Sequence, residues 1–275
     1  MKLTLLGTGS PAPSPNRRGA AQVIDLGDSL LLVDCGAGAL HRLIEAGYQR
    51  LNVGAIAFTH LHSDHITGIL DVLWAGWVMR RWQTAPKIYG PPGTKHFIDH
   101  LLEAMSYDID IRVGPVLRPE GLRPEVIEVE EGWRTAGSDW QLSAFRVEHL
   151  PVDQAFGYRI DQDARSIVIS GDTKVSENLV KHADGADILV HEVFSEQGLQ
   201  RAANAGDPQQ HALFELMRTY HTSSTEVGKV ATNANTKHLI LSHVMGGDRA
   251  SYEADIAPAF GGKLTVGEDL MSFEV

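Results

Sequence analysis

The sequence predicts an α/β fold, and three observations carry the prediction. Short apolar runs bounded by Gly and Pro alternate along the chain with stretches of helical periodicity. The composition, 43% hydrophobic and 21% charged over 275 residues, is that of a globular chain and not of a fibrous or disordered one. Histidine and aspartate recur just past the strand-like runs, at the chain positions where α/β folds build their sites.

In order, Leu3–Leu6, Gln22–Leu26 and Leu30–Asp34 read as short strands separated by Gly and Pro turns. Ala39–Ala46 has helical spacing, and Val53–Thr59 is a strand of the fully buried type. Ile66, Ile69, Leu73 and Trp77 recur with a 3.6-residue period and predict one helix from Ile66 to about Trp82. Trp74, Trp77 and Trp82, with Met79 among them, read as core at that spacing rather than as the aromatic wall of a pocket. Pro and Gly pairs bracket a strand at Lys87–Tyr89, and a helix follows near Thr94–Met105. Residues 107–137, which include the acidic run Glu125 to Glu131, carry little pattern and read as a solvated strand-and-loop face. The second half repeats the logic of the first, with strands at Gln141–Val147, Gly157–Ile160, Ser166–Ser170 and Ile188–His191. A helix at about Ser224–Ala234 and a strand at Leu239–Ser242 follow. With no linker or low-complexity stretch to divide it, the expectation is one domain, 1–275, of two similar halves.

Charge and cysteine content exclude several function classes. The 24 Lys and Arg stand against 35 Asp and Glu, a formal charge of −11. That is a poor electrostatic start for gripping a phosphate backbone, and no basic run exceeds Arg17-Arg18 or Arg80-Arg81. Asn16-Arg17-Arg18 reads as a solvated loop rather than an anion site. A single cysteine, Cys35, forbids an internal disulfide framework and reads as a small buried residue. No secretory leader and no run of about 20 apolar residues is visible, so a cytoplasmic protein that does not enter the membrane is expected.

The chemistry concentrates in Thr59-His60-Leu61-His62-Ser63-Asp64-His65, where a strand ends and a helix begins. His60 and His62, two apart in extended chain, point the same way and can share one metal; Asp64 and His65 fall where the chain turns and can face a second. Imidazole nitrogen and carboxylate oxygen are ligands that zinc takes. Such a cluster is improbable by chance, even with 13 His in the chain. His149, Asp172 and His243 each follow a strand-like run and complete a ligand set with the first cluster. Zinc suits so many histidines, and manganese or iron fits the same donors.

These motifs resemble the metallo-β-lactamase superfamily and, within it, the ribonuclease Z and arylsulfatase-like branch. The resemblance rests on Leu5-Leu6-Gly7-Thr8-Gly9-Ser10-Pro11, Asp34-Cys35-Gly36-Ala37-Gly38 and His60-Leu61-His62-Ser63-Asp64-His65. It extends through Ala155-Phe156-Gly157-Tyr158-Arg159, Ser170-Gly171-Asp172-Thr173, Val190-His191-Glu192 and Leu239-Ile240-Leu241-Ser242-His243. It implies a four-layer αββα sandwich of two mixed β-sheets flanked by helices, and two metals. His60, His62 and His149 would hold one metal, Asp64, His65 and His243 the other, and Asp172 would bridge. Seven such ligands leave coordination open for water and substrate, the arrangement a two-metal hydrolase needs. The resemblance also pairs Glu192 with His221, the glutamate orienting an imidazole that contacts the scissile phosphate; His191 is expected to be structural or to support the ligands.

One departure bears on substrate. Bacterial ribonuclease Z carries a long tRNA-gripping arm between its Gly-Tyr-Arg and Ser-Gly-Asp-Thr strands, whereas here only Ile160-Asp161-Gln162-Asp163-Ala164 separates Arg159 from Arg165. The leading expectation is therefore a binuclear hydrolase acting through a metal-bridging hydroxide on a phosphodiester or related ester of a small molecule. In it Asp64 orients the water and His221 protonates the leaving group. The alternatives are a tRNA 3′-processing endonuclease, an arylsulfatase or lactonase of the same fold, a di-iron redox protein and a metal-stabilised scaffold. A homodimer is expected only by analogy.

Overall fold

The apolar run Leu30–Val33 and the strand Ile188–Phe194, apolar but for His191 and Glu192, are buried at every position, so these strands form where both faces can leave water. A computed structural model of the chain describes residues 1–79, 82–204 and 208–275. The described residues form two compact units, each built on one seven-stranded sheet. The first comprises residues 1–7, 13–129 and 269–274; the second comprises 8–12, 130–268 and 275.

The first unit holds β1 (Lys2–Gly7), β2 (Ala21–Asp25), β3 (Leu30–Val33), β4 (Val53–Ala57), β5 (Lys87–Gly90), β6 (Val126–Glu128) and β14 (Ser272–Glu274). Their order is β14-β1-β2-β3-β4-β5-β6, antiparallel as far as β3 and parallel from β3 onward. The second unit holds β7 (Arg134–Ala136), β8 (Trp140–Arg146), β9 (Phe156–Gln162), β10 (Arg165–Ile169), β11 (Ile188–Phe194), β12 (His238–Met245) and β13 (Lys263–Val266). Antiparallel pairing from β7 to β10 again gives way to parallel pairing from β10 to β13. The two halves thus share one plan, a meander followed by parallel strands with crossover helices.

Helices bury one face of each sheet. In the first unit Leu6, Val23, Leu32, Ile56 and Ile88 pack with Leu43 of α1 (Ala39–Glu45) and, beyond the short α2 (Ser63–Ile66), with Leu73 and Trp77 of α3 (Ile69–Val78). Ile98 and Leu102 of α4 (Thr94–Ala104) join the same core, as does Ile109 of α5 (Ser106–Arg112). In the second, Phe145, Val168, Leu189 and Leu241 meet Leu179 of α6 (Glu177–His182). Past α7 (Glu196–Ala203) and α8 (Pro208–Tyr220), Val227 and Val230 of α9 (Ser224–Asn233) and Ile256 of α10 (Arg249–Ile256) complete that core. Each such side chain contributes on the order of 1.5–3 kcal/mol by leaving water.

The single helix expected from Ile66 to about Trp82 is two helices, broken at Thr67-Gly68 and ending at Val78; its stretch at Arg80 and Arg81 lies outside the described residues. Gly68 lies against the turn after β3: its N–H donates to the Cys35 carbonyl at 2.8 Å, and a Cβ there would stand 2.2 Å from the Gly36 oxygen. That contact, invisible to periodicity, stops α2. Trp77 and Trp82 are core, as expected, with their indole N–H groups donated to the carbonyls of Arg118 and Leu51, whereas Trp74 is partly buried against that core and Met79, expected in it, is exposed. Residues 107–137 hold more order than a strand-and-loop face. Asp108 accepts from the Trp74 indole at 2.7 Å and pairs with Arg112, fixing the short α5 over the one buried residue Ile109. Glu128, from the acidic run, accepts the N–H groups of Gly93 and Lys95 and so caps α4. No helix among the described residues is long and apolar enough to cross a membrane.

Gly68→Ala should destabilise the protein by about 1–3 kcal/mol, because backbone and not a flexible side chain must yield; chemical denaturation checks this. His238 offers a second test. Burial, with Lys263 beside it, holds its imidazole down at about 4, below the usual value of 6.5. A ring kept neutral by the fold stabilises it above pH 6.5, and that contribution is lost as pH falls from 6.5 towards 4. Urea midpoints at pH 7 and pH 5 should therefore lie closer together in His238→Asn than in the parent.

Candidate metal centre

In the first unit the site is prepared by Asp34, the residue that follows β3. It is buried and holds a left-handed φ of 59°, a conformation that Asp tolerates better than most residues. Its backbone N–H donates to the Ala57 carbonyl, and its carboxylate accepts from the Thr59 N–H (2.8 Å), the Thr59 hydroxyl (2.9 Å) and His65 Nδ1 (2.8 Å). The Thr59 hydroxyl, its proton committed to Asp34, accepts in turn from His60 Nδ1 at 3.0 Å. Both rings therefore carry their proton on Nδ1 and present Nε2 as the lone-pair nitrogen, the ligand geometry of histidines oriented by a supporting carboxylate.

The expected cluster assembles around this platform. The rings of His60 and His62 lie 4.6 Å apart, those of His60 and His65 4.2 Å, and Asp64 Oδ2 is 3.5 Å from His65 Nε2. His62 occupies the N-cap of α2 in an extended conformation, which puts Asp64 and His65 in the first turn. The Cys35 N–H donates to the His65 carbonyl, and a Cβ on Gly36 would meet the Asp64 oxygen at 2.3 Å. Only glycine lets the turn after β3 lie this close beneath the ligand loop.

In the second unit Asp172, His149, His221 and His243 come together. Asp172 Oδ2 lies 3.4 Å from His243 Nε2, 4.0 Å from His149 Nε2 and 4.0 Å from His221 Nδ1. Asp172 and His243 stand at the C-terminal ends of parallel strands, where α/β sheets place their sites. His243 is the extra residue of a bulge, Glu192 pairing with Ser242 and Val193 with Val244, and it takes a positive φ of 47°. Bulges of this kind re-aim one side chain without ending the strand. His149 donates Nδ1–H to the Tyr220 carbonyl at 3.1 Å and so also presents Nε2. Burial, against a smaller opposing effect of Asp172, holds its ring below the usual histidine range and therefore neutral, the ligating form.

Glu192 joins this group from β11. Its Oε1 accepts from His221 Nδ1 (3.0 Å), the Thr173 N–H (3.1 Å) and the Thr222 N–H (3.2 Å), while the Thr222 hydroxyl donates to the Thr173 carbonyl at 2.6 Å. The Glu192–His221 pair expected from resemblance is therefore present. His191 is fully buried and donates Nδ1–H to the Glu192 carbonyl, a supporting role. Asp34 and Thr59 are the positioning residues that the sequence reading did not single out. The signal was an aspartate ending a strand beside the cluster, but nothing in the chain order said which ring it would hold.

The donor set of each unit suits divalent metals. Imidazoles with Nδ1 tied off, as in His60, His65 and His149, and carboxylates at the same site are what zinc, manganese and iron take. Burial of Asp34, Asp172 and Glu192 is costly without positive charge nearby, and bound cations would supply it.

Comparison with known proteins shows the family and the fold. A family model described as Anti-Pycsar protein Apyc1 matches residues 1–226. A ribonuclease Z of Mycobacterium bovis (strain BCG / Pasteur 1173P2) is 35% identical over 286 aligned positions, covering 100% of this chain and 98% of that protein. Among solved structures, the metallo-β-lactamase fold protein YhfI from Bacillus subtilis superposes with a TM-score of 0.73 at 20% identity, over 99% of both chains. The short form of human tRNase Z gives 0.71 at 24%, over 100% of this chain and 99% of that one. The fold expected from the motifs is thus shown along the whole chain. The relatives also favour the nuclease alternative over the small-molecule expectation.

Asp34→Asn keeps the shape and the tolerance for positive φ but removes the charge that orients His65 and Thr59. It should weaken metal binding about 10–100-fold while leaving the far-UV circular dichroism unchanged; competition against a chromophoric chelator measures this.

Proposed function

This chain belongs to the metallo-β-lactamase-fold hydrolases, in the family of the Anti-Pycsar protein Apyc1 and of its ribonuclease Z relatives, and on that premise we propose a two-metal phosphodiesterase that cleaves RNA 3′ ends. The observation that carries the reading is the buried Glu192–His221 pair beside Asp172 and His243. In this reading His60, His62 and His149 would hold one metal, Asp64, His65 and His243 the other, and Asp172 would serve both. Two Zn2+ are the preferred occupants. Bound divalent cations would lower the pKa of water, polarise the phosphate and offset its developing charge.

The chain's own residues supply the rest. Asp64 orients the attacking water. His221, as an imidazolium with Nδ1–H on Glu192, carries its second proton on Nε2 and passes it to the leaving oxygen. Glu192 favours that charged form and fixes the ring plane, while Thr173 and Thr222 hold Glu192 through their backbone N–H groups. The same reading makes this a cytoplasmic enzyme.

Similarity to ribonuclease Z relatives supports RNA as the substrate. The missing arm does not separate this chain from them. The alignment spans 286 positions against 275 residues here, so within it the M. bovis protein carries about eleven residues that this chain lacks, with only 2% of that protein lying outside it. A second reading, a small-molecule phosphodiester, is favoured by electrostatics. The formal charge is −11, and β9 and β10 join through the two-residue turn Asp163-Ala164 beside Asp161.

One assay decides between them. Protein loaded with zinc or manganese is given a precursor tRNA with a 3′ trailer and, separately, bis(p-nitrophenyl) phosphate. Endonucleolytic removal of the trailer, lost in metal-stripped protein, is the expected result; turnover of the aryl diester alone moves the function to small phosphodiesters. His221→Ala should lower kcat about 10²–10⁴-fold on whichever substrate is cleaved, with metal content unchanged. No turnover of either substrate by protein holding two metals would overturn the phosphodiesterase reading.

A further inference from the structure

A separate pair of histidines lies on α4, outside the candidate metal centre. His96 and His100 are one helical turn apart on its exposed side, with ring centroids 4.0 Å apart and planes inclined by 41°. His100 donates Nδ1–H to the His96 backbone carbonyl at 2.9 Å. This settles its tautomer and makes Nε2 the lone-pair nitrogen, just as the Tyr220 carbonyl does for His149. The one cation within a turn of the pair, Lys95, is neutralised by Asp99 at 2.5 Å. The helix is itself anchored, since Glu128 caps its first turn and Ile98 and Leu102 are buried on its other face.

We propose that His96 and His100 form a second, surface metal site, a two-imidazole clip for a borderline divalent transition metal such as Ni2+, Cu2+ or Zn2+. Residues four apart on a helix share a face, and two histidines at that spacing can close on one ion. Imidazole suits these metals, with affinity rising towards copper, and water fills the remaining positions. Once the first ring has bound, the second is already in place, so the pair binds more tightly than two separate histidines. His41 and His211, exposed on α1 and α8, have no histidine three or four residues away and offer single contacts only. The site does not depend on the phosphodiesterase reading. Its consequence is that metal analysis of the protein at excess metal would return more ions than the catalytic centre holds.

The test uses untagged protein already loaded with its catalytic metal, passed over immobilised Ni2+, which reaches surface histidines. The parent should be retained and elute at several-fold higher imidazole than His96→Asn, His100→Asn or the double variant. All three should elute together, because one missing ring removes the clip. Circular dichroism checks that the exposed substitutions leave the fold intact. A parent that elutes with the double variant, or a single variant retained like the parent, would overturn the proposal.

Discussion

A buried carboxylate that accepts hydrogen bonds from three donors is the constraint on which the first unit's chemistry rests. Asp34 turns back at the end of β3, where its left-handed backbone lets one side chain reach the Thr59 amide, the Thr59 hydroxyl and His65. Through Thr59 it also commits the proton of His60. Two rings of the metal motif, His60 and His65, thus acquire a defined tautomer from a residue 26 and 31 positions upstream. The backbone repeats the message: Cys35 N–H holds the His65 carbonyl, and Gly68 N–H holds that of Cys35. The loop is held by these protein contacts alone, and such preorganisation is what a hydrolytic site needs.

The second unit solves the same problem with the same device. Glu192 is a buried carboxylate whose one oxygen gathers His221, Thr173 and Thr222. Here the carboxylate orients an imidazole that, in the proposed mechanism, gives up a proton rather than binding a metal. The difference lies in where each ring stands: His65 is beside Asp64, whereas His221 is beside Asp172 and stacked near His243. One physical principle, an anionic acceptor fixing Nδ1–H, underlies the ligation proposed for one place and the acid catalysis proposed for the other.

The fold was legible wherever burial writes a period into the chain. The strands with continuous apolar runs and the helices α1, α4 and α9 lie within a few residues of where the spacing places them. Elements held by tertiary ties were not legible. The short α5 depends on Trp74 reaching Asp108, and the break at Gly68 depends on a turn some thirty residues earlier in the chain. Helices α6, α7, α8 and α10 carry no expectation in the sequence reading. Of the site, the metal motif and Glu192–His221 could be read from local residues and resemblance. The roles of Asp34 and Thr59 could not, because a hydrogen bond between distant residues leaves no periodic trace.

The sequence by itself determined the class of fold, the ligand types and the negative charge, since these follow from residue identity and local spacing alone. Tertiary structure alone decided which nitrogen of each histidine faces its site, which carboxylates support it, and how the bulge in β12 aims His243. It also decided that His96 and His100 present their rings together from an anchored helix. Those choices depend on contacts between residues distant in the chain, and such contacts exist only once the sheets have formed and the ligand-bearing turns are held against their neighbours.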